Sequence, residues 1–96
     1  PVLPIIPYDR IEEVLPFVRR FEKPLSFYVF SSNERNIQYW MTNSSAGTSM
    51  INDVCINFAN PELPFGGANH SGLGKSHGYY GFRAFSNERA VMRQLS

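Results

Sequence analysis

Residues Leu25–Asn52 read LSFYVFSSNERNIQYWMTNSSAGTSMIN, and the pattern of this stretch decides the fold. Leu25 to Phe30 is rich in aromatic and branched side chains, the composition of a strand. Asn33 then suits a helix N-cap, because its side-chain carbonyl can accept from a first-turn N–H that has no partner in the helix. Ile37, Trp40 and Met41 recur at i, i+3 and i+4, which predicts a helix with one apolar face. Gly47 marks the end of that helix or the turn beyond it. Thr48 to Asn52 (TSMIN) predicts a further short strand.

Towards the N-terminus, Val2 to Tyr8 (VLPIIPY) predicts a buried strand with Pro4 and Pro7 near its ends or at a sheet edge. Asp9 and Glu12 have the spacing of a capping box. Ile11, Val14, Leu15, Val18 and Phe21 follow as a helical stripe. Pro16 lies inside it; a proline there costs about 3 kcal/mol unless the helix kinks, so a bend is expected. Lys23-Pro24 ends the helix. Strand, helix, strand, helix, strand with short connections predicts an α/β fold, a partial parallel βαβαβ sheet with right-handed crossovers. Parallel strands need cover on both faces. Two helices cover one face, so the remaining cover is expected from protein outside these residues.

Towards the C-terminus the regular pattern stops for about thirty residues after Asn52. Leu63 to Phe82, LPFGGANHSGLGKSHGYYGF, holds six of the seven glycines. Glycines raise the entropy cost of ordering a backbone, and a chain accepts them where it turns sharply or approaches something closely. The interleaved Phe65, Tyr79, Tyr80 and Phe82 argue for an ordered loop, with no amphipathic helix after the glycines. Ala84 to Leu95 predicts an extended terminal segment, an edge strand or an arm laid against a partner. No repeat and no linker divides the chain.

The net charge of +1 and pI near 8.5 give no electrostatic footprint for nucleic acid or an anionic membrane. Charged residues make up 18%, below the usual ~25%, and aromatics 15%, so the chain has much to bury and little polar surface to show. That balance, and a first residue that is Pro1, suit a piece of something larger. The single Cys55 excludes an internal disulfide and fits a reducing, cytoplasmic setting. No apolar run approaches the ~20 residues of a transmembrane helix.

Several residues invite a chemical reading. A nucleophilic Cys55 needs a base or an electropositive setting, and Asp53 beside it works against one; the competing reading is a buried or pocket-lining thiol. His70 and His77 are seven apart, which matches no common zinc spacing. His77 fits better as a loop-orienting or pocket-lining group, with a pH-active role open to any imidazole. Gly72-Leu73-Gly74 with Gly78 is a shortened dinucleotide fingerprint, lacking the preceding strand and the following helix, so structural turns are the better reading. Gly81-Phe82-Arg83-Ala84-Phe85 is a defective copy of an RNA-stacking motif, with Arg83 in place of valine. A free-standing module for single-stranded RNA, or a self-associating interaction domain, therefore stand as alternatives to an enzyme.

Pro64-Phe65-Gly66-Gly67, Ser71-Gly72-Leu73-Gly74, His77-Gly78 and Phe85-Ser86 together, at their spacing, resemble the C-terminal end of aldehyde dehydrogenases, most closely the class 3 and fatty-aldehyde branch. The resemblance covers nearly the whole chain. Pro1-Val2-Leu3-Pro4 is similar to the residues just after the family's Glu-x-Phe-Gly motif. Glu22 to Leu25 and Tyr28 to Ser31 resemble the strand that follows a helix. Asn52-Asp53-Val54 resembles an Asn-Asp-Val turn, and Phe85 to Leu95 the oligomerisation strand.

The resemblance implies a parent enzyme that oxidises aldehydes to carboxylic acids with NAD or NADP, through a cysteine thiohemiacetal and thioester. It also implies that the catalytic cysteine, the base and the coenzyme site lie outside these residues, so that the chain alone is inactive and binds no coenzyme. Residues 1–84 would belong to the catalytic domain and 85–96 would form the oligomerisation strand of a homo-oligomer. Cys55, Phe58, Ala59, Phe65 and His77 would line the aldehyde tunnel; core duty for Cys55 and Phe58 is the competing reading. The sequence departs from class 3 at Asn57, where histidine is frequent, and at Phe58, where a smaller aliphatic is usual and whose bulk would narrow the tunnel. It departs also at Pro16 and in Ala68-Asn69-His70.

Overall fold

A computed structural model describes residues 1–95. Helix α1 spans Ile11–Val18, strand β1 Ser26–Val29, helix α2 Glu34–Asn43 and strand β2 Thr48–Ile51. Two 3-10 turns, Ile56–Ala59 and Asn69–Ser71, and a short helix α3, Gly78–Ala84, complete the regular structure. β1 and β2 pair in parallel, with Ser26 opposite Thr48 and Val29 opposite Ile51.

Helix α2 begins and ends where its side chains dictate. Asn33 Oδ1 accepts from Arg35 N at 2.9 Å, the expected N-cap. At the other end the Asn43 amide donates to the Tyr39 carbonyl and the Ser44 hydroxyl to the Trp40 carbonyl, which also accepts from the Ser44 N–H, so polar side chains close the last turn. Between them Ile37 and Trp40 are buried. They meet Leu15 of α1 and Val29 of β1 in one core, with Ile11, Val14, Phe27, Tyr39 and Met41 packed around it. Alternation along a strand puts Phe27 and Val29 on one face, so both helices lie on that face of the sheet. The opposite face carries Tyr28 and Thr48 and receives the chain after Asn52.

Three expectations need correction. Val2–Tyr8 forms no strand, and the sheet has two strands rather than three. Pro4 and Pro7 remove two ladder donors, and the side chains of Val2, Leu3 and Ile5 stay more than four-fifths exposed, so nothing repays ordering the segment. Helix α1 starts at Ile11, one residue later than the capping box requires; Asp9 makes no cap, and Arg10 pairs instead with Glu12 at 3.6 Å. It stops two residues after Pro16, leaving Phe21 in the turn beyond the helix. The glycine-rich stretch does lead into a helix, α3. Residues 85–95 are extended chain, exposed throughout and paired with no strand among the described residues; Ser96, the end of the expected terminal strand, lies outside those residues.

The two ends give the molecule its shape. Its radius of gyration is 18.3 Å and its longest dimension 70 Å. A compact chain of this length would have a radius of roughly 12–13 Å.

Candidate functional site

The segment after β2 is built on a chain of backbone turns. Asn52 adopts a left-handed conformation (φ 58°), which asparagine tolerates better than most residues. Its amide closes a reciprocal pair with Ser31: Oδ1 accepts from Ser31 N at 2.8 Å and Nδ2 donates to Ser31 O at 3.0 Å. The side chain thereby extends the β1–β2 pairing past the end of the strands. Cys55 is also left-handed (φ 63°). The 3-10 turn that follows brings Asn57 under the sheet, where it is buried and donates to Thr48 Oγ1 at 3.0 Å.

Phe65 and Ser76 then form an antiparallel bridge, with backbone bonds of 3.0 and 2.7 Å, and this closes the glycine loop between them. Inside the loop the backbone touches itself. A Cβ on Gly67 would collide with the Ser71 carbonyl, and one on Gly78 (φ 48°) with the Pro61 carbonyl. Only glycine fits at either place.

This framework gathers three of the five expected site residues. Phe58 meets Phe65 edge to face with ring centroids 5.2 Å apart, and His77 edge to face at 5.1 Å. The His77 imidazole lies nearly parallel to the Phe65 ring, 16° from coplanar with centroids 5.2 Å apart. Such ring pairs contribute about 0.5–1.5 kcal/mol each beyond area burial. His77 needs them: its backbone (φ 74°, ψ 139°) lies beside the region reserved for glycine, at a cost of order 1–3 kcal/mol. The ring contacts and the strain are of the same size, so the packing of the three rings offsets the strained backbone.

The other two expected residues flank this cluster. Cys55 is exposed and its sulfur lies 3.8 Å from the Tyr28 hydroxyl, on the sheet side of the turn. Ala59 closes the same turn and is exposed. The cluster is an open wall rather than an enclosed pocket: Phe58 is 60% exposed, Phe65 and His77 half-buried. Two hollows lie elsewhere. One of about 260 Å³ sits between the C-terminal ends of α1 and α2, and one of about 380 Å³ between α1 and the N-terminal arm.

The glycine loop does not have the form of a dinucleotide fingerprint. Gly67 and Gly72 pack on each other's backbone, leaving no cradle for a phosphate, and α3 is a seven-residue helix entered from a loop rather than a strand. Nor do Gly81 to Phe85 make an RNA platform, since Gly81 to Ala84 belong to that helix and not to a middle strand. Among the described residues no group of three or more His, Cys, Asp or Glu could hold a metal, and no helix is long and apolar enough to cross a membrane.

Sequence reasoning missed Lys75, whose ammonium donates to the carbonyls of Gly47 and Gly66, and Asn57 as the polar link under the sheet. Periodicity marks neither, because both act on backbone or on a single hydroxyl across a loop.

Comparison with known proteins agrees with this architecture. The family model described as "Aldehyde dehydrogenase family" matches residues 1–91. The 4,4'-diaponeurosporen-aldehyde dehydrogenase of Staphylococcus aureus is 42% identical over 92 residues, 96% of this chain and 20% of that protein. The dimeric NADP-preferring aldehyde dehydrogenase of Rattus norvegicus is 41% identical over the same length, again 96% of this chain and 20% of its own. A solved structure, the substrate-bound state of Staphylococcus aureus AldH, superposes with a TM-score of 0.86 at 39% identity, over 97% of this chain and 21% of that one. The chain thus spans about a fifth of the length of the relatives it matches. With a family model covering all but its last few residues and a fold shared with a solved member, this chain belongs to the aldehyde dehydrogenase family.

Proposed function

We propose that the chain is the C-terminal part of an NAD(P)-dependent aldehyde dehydrogenase of the class 3 or fatty-aldehyde branch. That enzyme oxidises aliphatic or aromatic aldehydes to carboxylic acids through a cysteine-bound thiohemiacetal and thioester. The observation that carries this reading is the superposition of nearly the whole chain on one fifth of a solved AldH. Relatives described as dimeric, NADP-preferring and as a family 3 member support the branch.

These residues contribute sheet and wall. Phe58, Phe65 and His77, flanked by Cys55 and Ala59, form one side of the aldehyde tunnel. Cys55 serves as a wall residue and not as the nucleophile: its sulfur stands beside the Tyr28 hydroxyl and not beside an imidazole or carboxylate that could take its proton. The nucleophile, the base and the NAD or NADP site come from the rest of the enzyme, so the segment alone binds no coenzyme. Residues 1–84 belong to the catalytic domain and 85–96 are the strand through which a cytoplasmic homo-oligomer assembles. The exposed Phe85, Val91, Met92 and Leu95 support that last assignment. They equally favour a second reading, in which this segment is chiefly an interaction element.

The test is a paired assay. The full-length protein should form NAD(P)H when given aldehyde, and the purified 96 residues should form none. Turnover by the short chain would refute the absence of a nucleophile, and a full-length protein inert towards aldehydes would refute the enzyme.

A further inference from the structure

The ring cluster hangs on a loop that buries no apolar side chain of its own, so its position over the sheet needs another anchor. Both stems of that loop meet in the Phe65·Ser76 bridge. Directly before Ser76, Lys75 sends its side chain to the sheet. Its Nζ donates to the carbonyl of Gly47, just ahead of β2, at 2.7 Å, and to that of Gly66, just after Phe65, at 2.5 Å. The backbones touch at the same point: a Cβ on Gly47 would stand 2.7 Å from Gly67 Cα and 2.7 Å from the Leu25 carbonyl oxygen. Among the described residues no carboxylate lies within ion-pair distance of this half-buried ammonium. It works as a multiple donor between carbonyls, and the tetrahedral spread of its N–H groups suits two acceptors from different strands of backbone.

We propose that Lys75 is the positioning residue of the aromatic wall: its ammonium pins the Phe65 stem to the start of β2. It thereby sets where the Phe65 and His77 rings stand against Phe58. Ser76 and His77 follow Lys75 directly, and Gly66 follows Phe65, so one group fixes both stems. Lys75 touches neither ring and acts through the backbone alone. Its consequence for aldehyde binding rests on the function proposed above; its consequence for the loop does not.

The experiment uses the full-length protein with Lys75→Met, which keeps the chain length and removes the donors, and Lys75→Arg, which keeps a cation. Amide exchange is read peptide by peptide, and steady-state kinetics with an aldehyde give KM and kcat separately. In Lys75→Met, amides of residues 65–67 and 76–77 should exchange about tenfold faster while those of α2 hold their rate. KM for aldehyde should rise about tenfold with kcat within about twofold, because a displaced wall weakens binding that ground state and transition state share. Lys75→Arg should recover part of both. Unchanged exchange at 65–67 overturns the proposal, as does an equal speeding of α2. A fall in kcat at constant KM overturns it too. Should Lys75→Met fail to fold, Lys75→Gln, which retains one donor group, carries the same comparison. A wild-type protein inert towards aldehyde defeats the functional reading, and the exchange result then decides the role of Lys75 alone.

Discussion

Between residues 11 and 51, Leu15, Val29, Ile37 and Trp40 from two helices and a strand meet in one core. Between 52 and 85 the residues that reach comparable burial are Asn57 and Gly67, an amide and a residue with no side chain. The first region is held by apolar area, at about 1.5–3 kcal/mol for each large side chain removed from water. The second is held by close backbone approach, by asparagine and lysine bonds to its carbonyls and hydroxyls, and by three rings in contact. A helix–sheet unit tolerates variation wherever the apolar face survives. A backbone-packed loop tolerates little at its contact points, and it can hold side chains such as His77 in conformations that a strand or helix would not.

Substitutions in the two regions break or sharpen this contrast. The largest effect is expected from Trp40→Ala, which removes the biggest member of a small core and should cost about 3–5 kcal/mol in urea denaturation followed by circular dichroism. A loss below about 1 kcal/mol would mean that the first region does not depend on its core. Next is Gly67→Ala. The added methyl meets the Ser71 backbone, and the expected cost is about 1–3 kcal/mol, appearing as faster amide exchange confined to residues 65–77. If that exchange spread into α2, the two regions would be one cooperative unit. The smallest is Asn33→Ala, which takes away the bond to Arg35 N and should cost about 1 kcal/mol, read as a lower urea midpoint with the loop amides unmoved.

The same contrast explains what the sequence could tell. Parallel β1 and β2, the Asn33 cap and the buried Ile37 and Trp40 were all legible, because period and capping leave marks within a few residues. The absent third strand was not. Val2–Tyr8 has the composition of a strand, but whether it becomes one depends on a neighbour that the segment does not encode. Helix α3 escaped notice because Gly78 and Gly81 depress its helix propensity and it buries no apolar stripe that periodicity could mark. At the site, the resemblance singled out Cys55, Phe58, Ala59, Phe65 and His77, of which the structure brings the rings of Phe58, Phe65 and His77 into contact and leaves Cys55 and Ala59 beside them. It offered no hint of Lys75, since a lysine that bonds two carbonyls looks in sequence like any solvated lysine.

The exposed thiol beside Tyr28 has a practical consequence. The chain contains one cysteine and one tryptophan, and they fall on opposite sides of the contrast drawn above: Trp40 within the helical core, Cys55 where the loop meets the sheet. A dye attached to that sulfur would accept excitation from that indole. These 96 residues thus carry their own spectroscopic ruler, and the moment at which loop and sheet part company during their unfolding can be timed without introducing a single foreign residue.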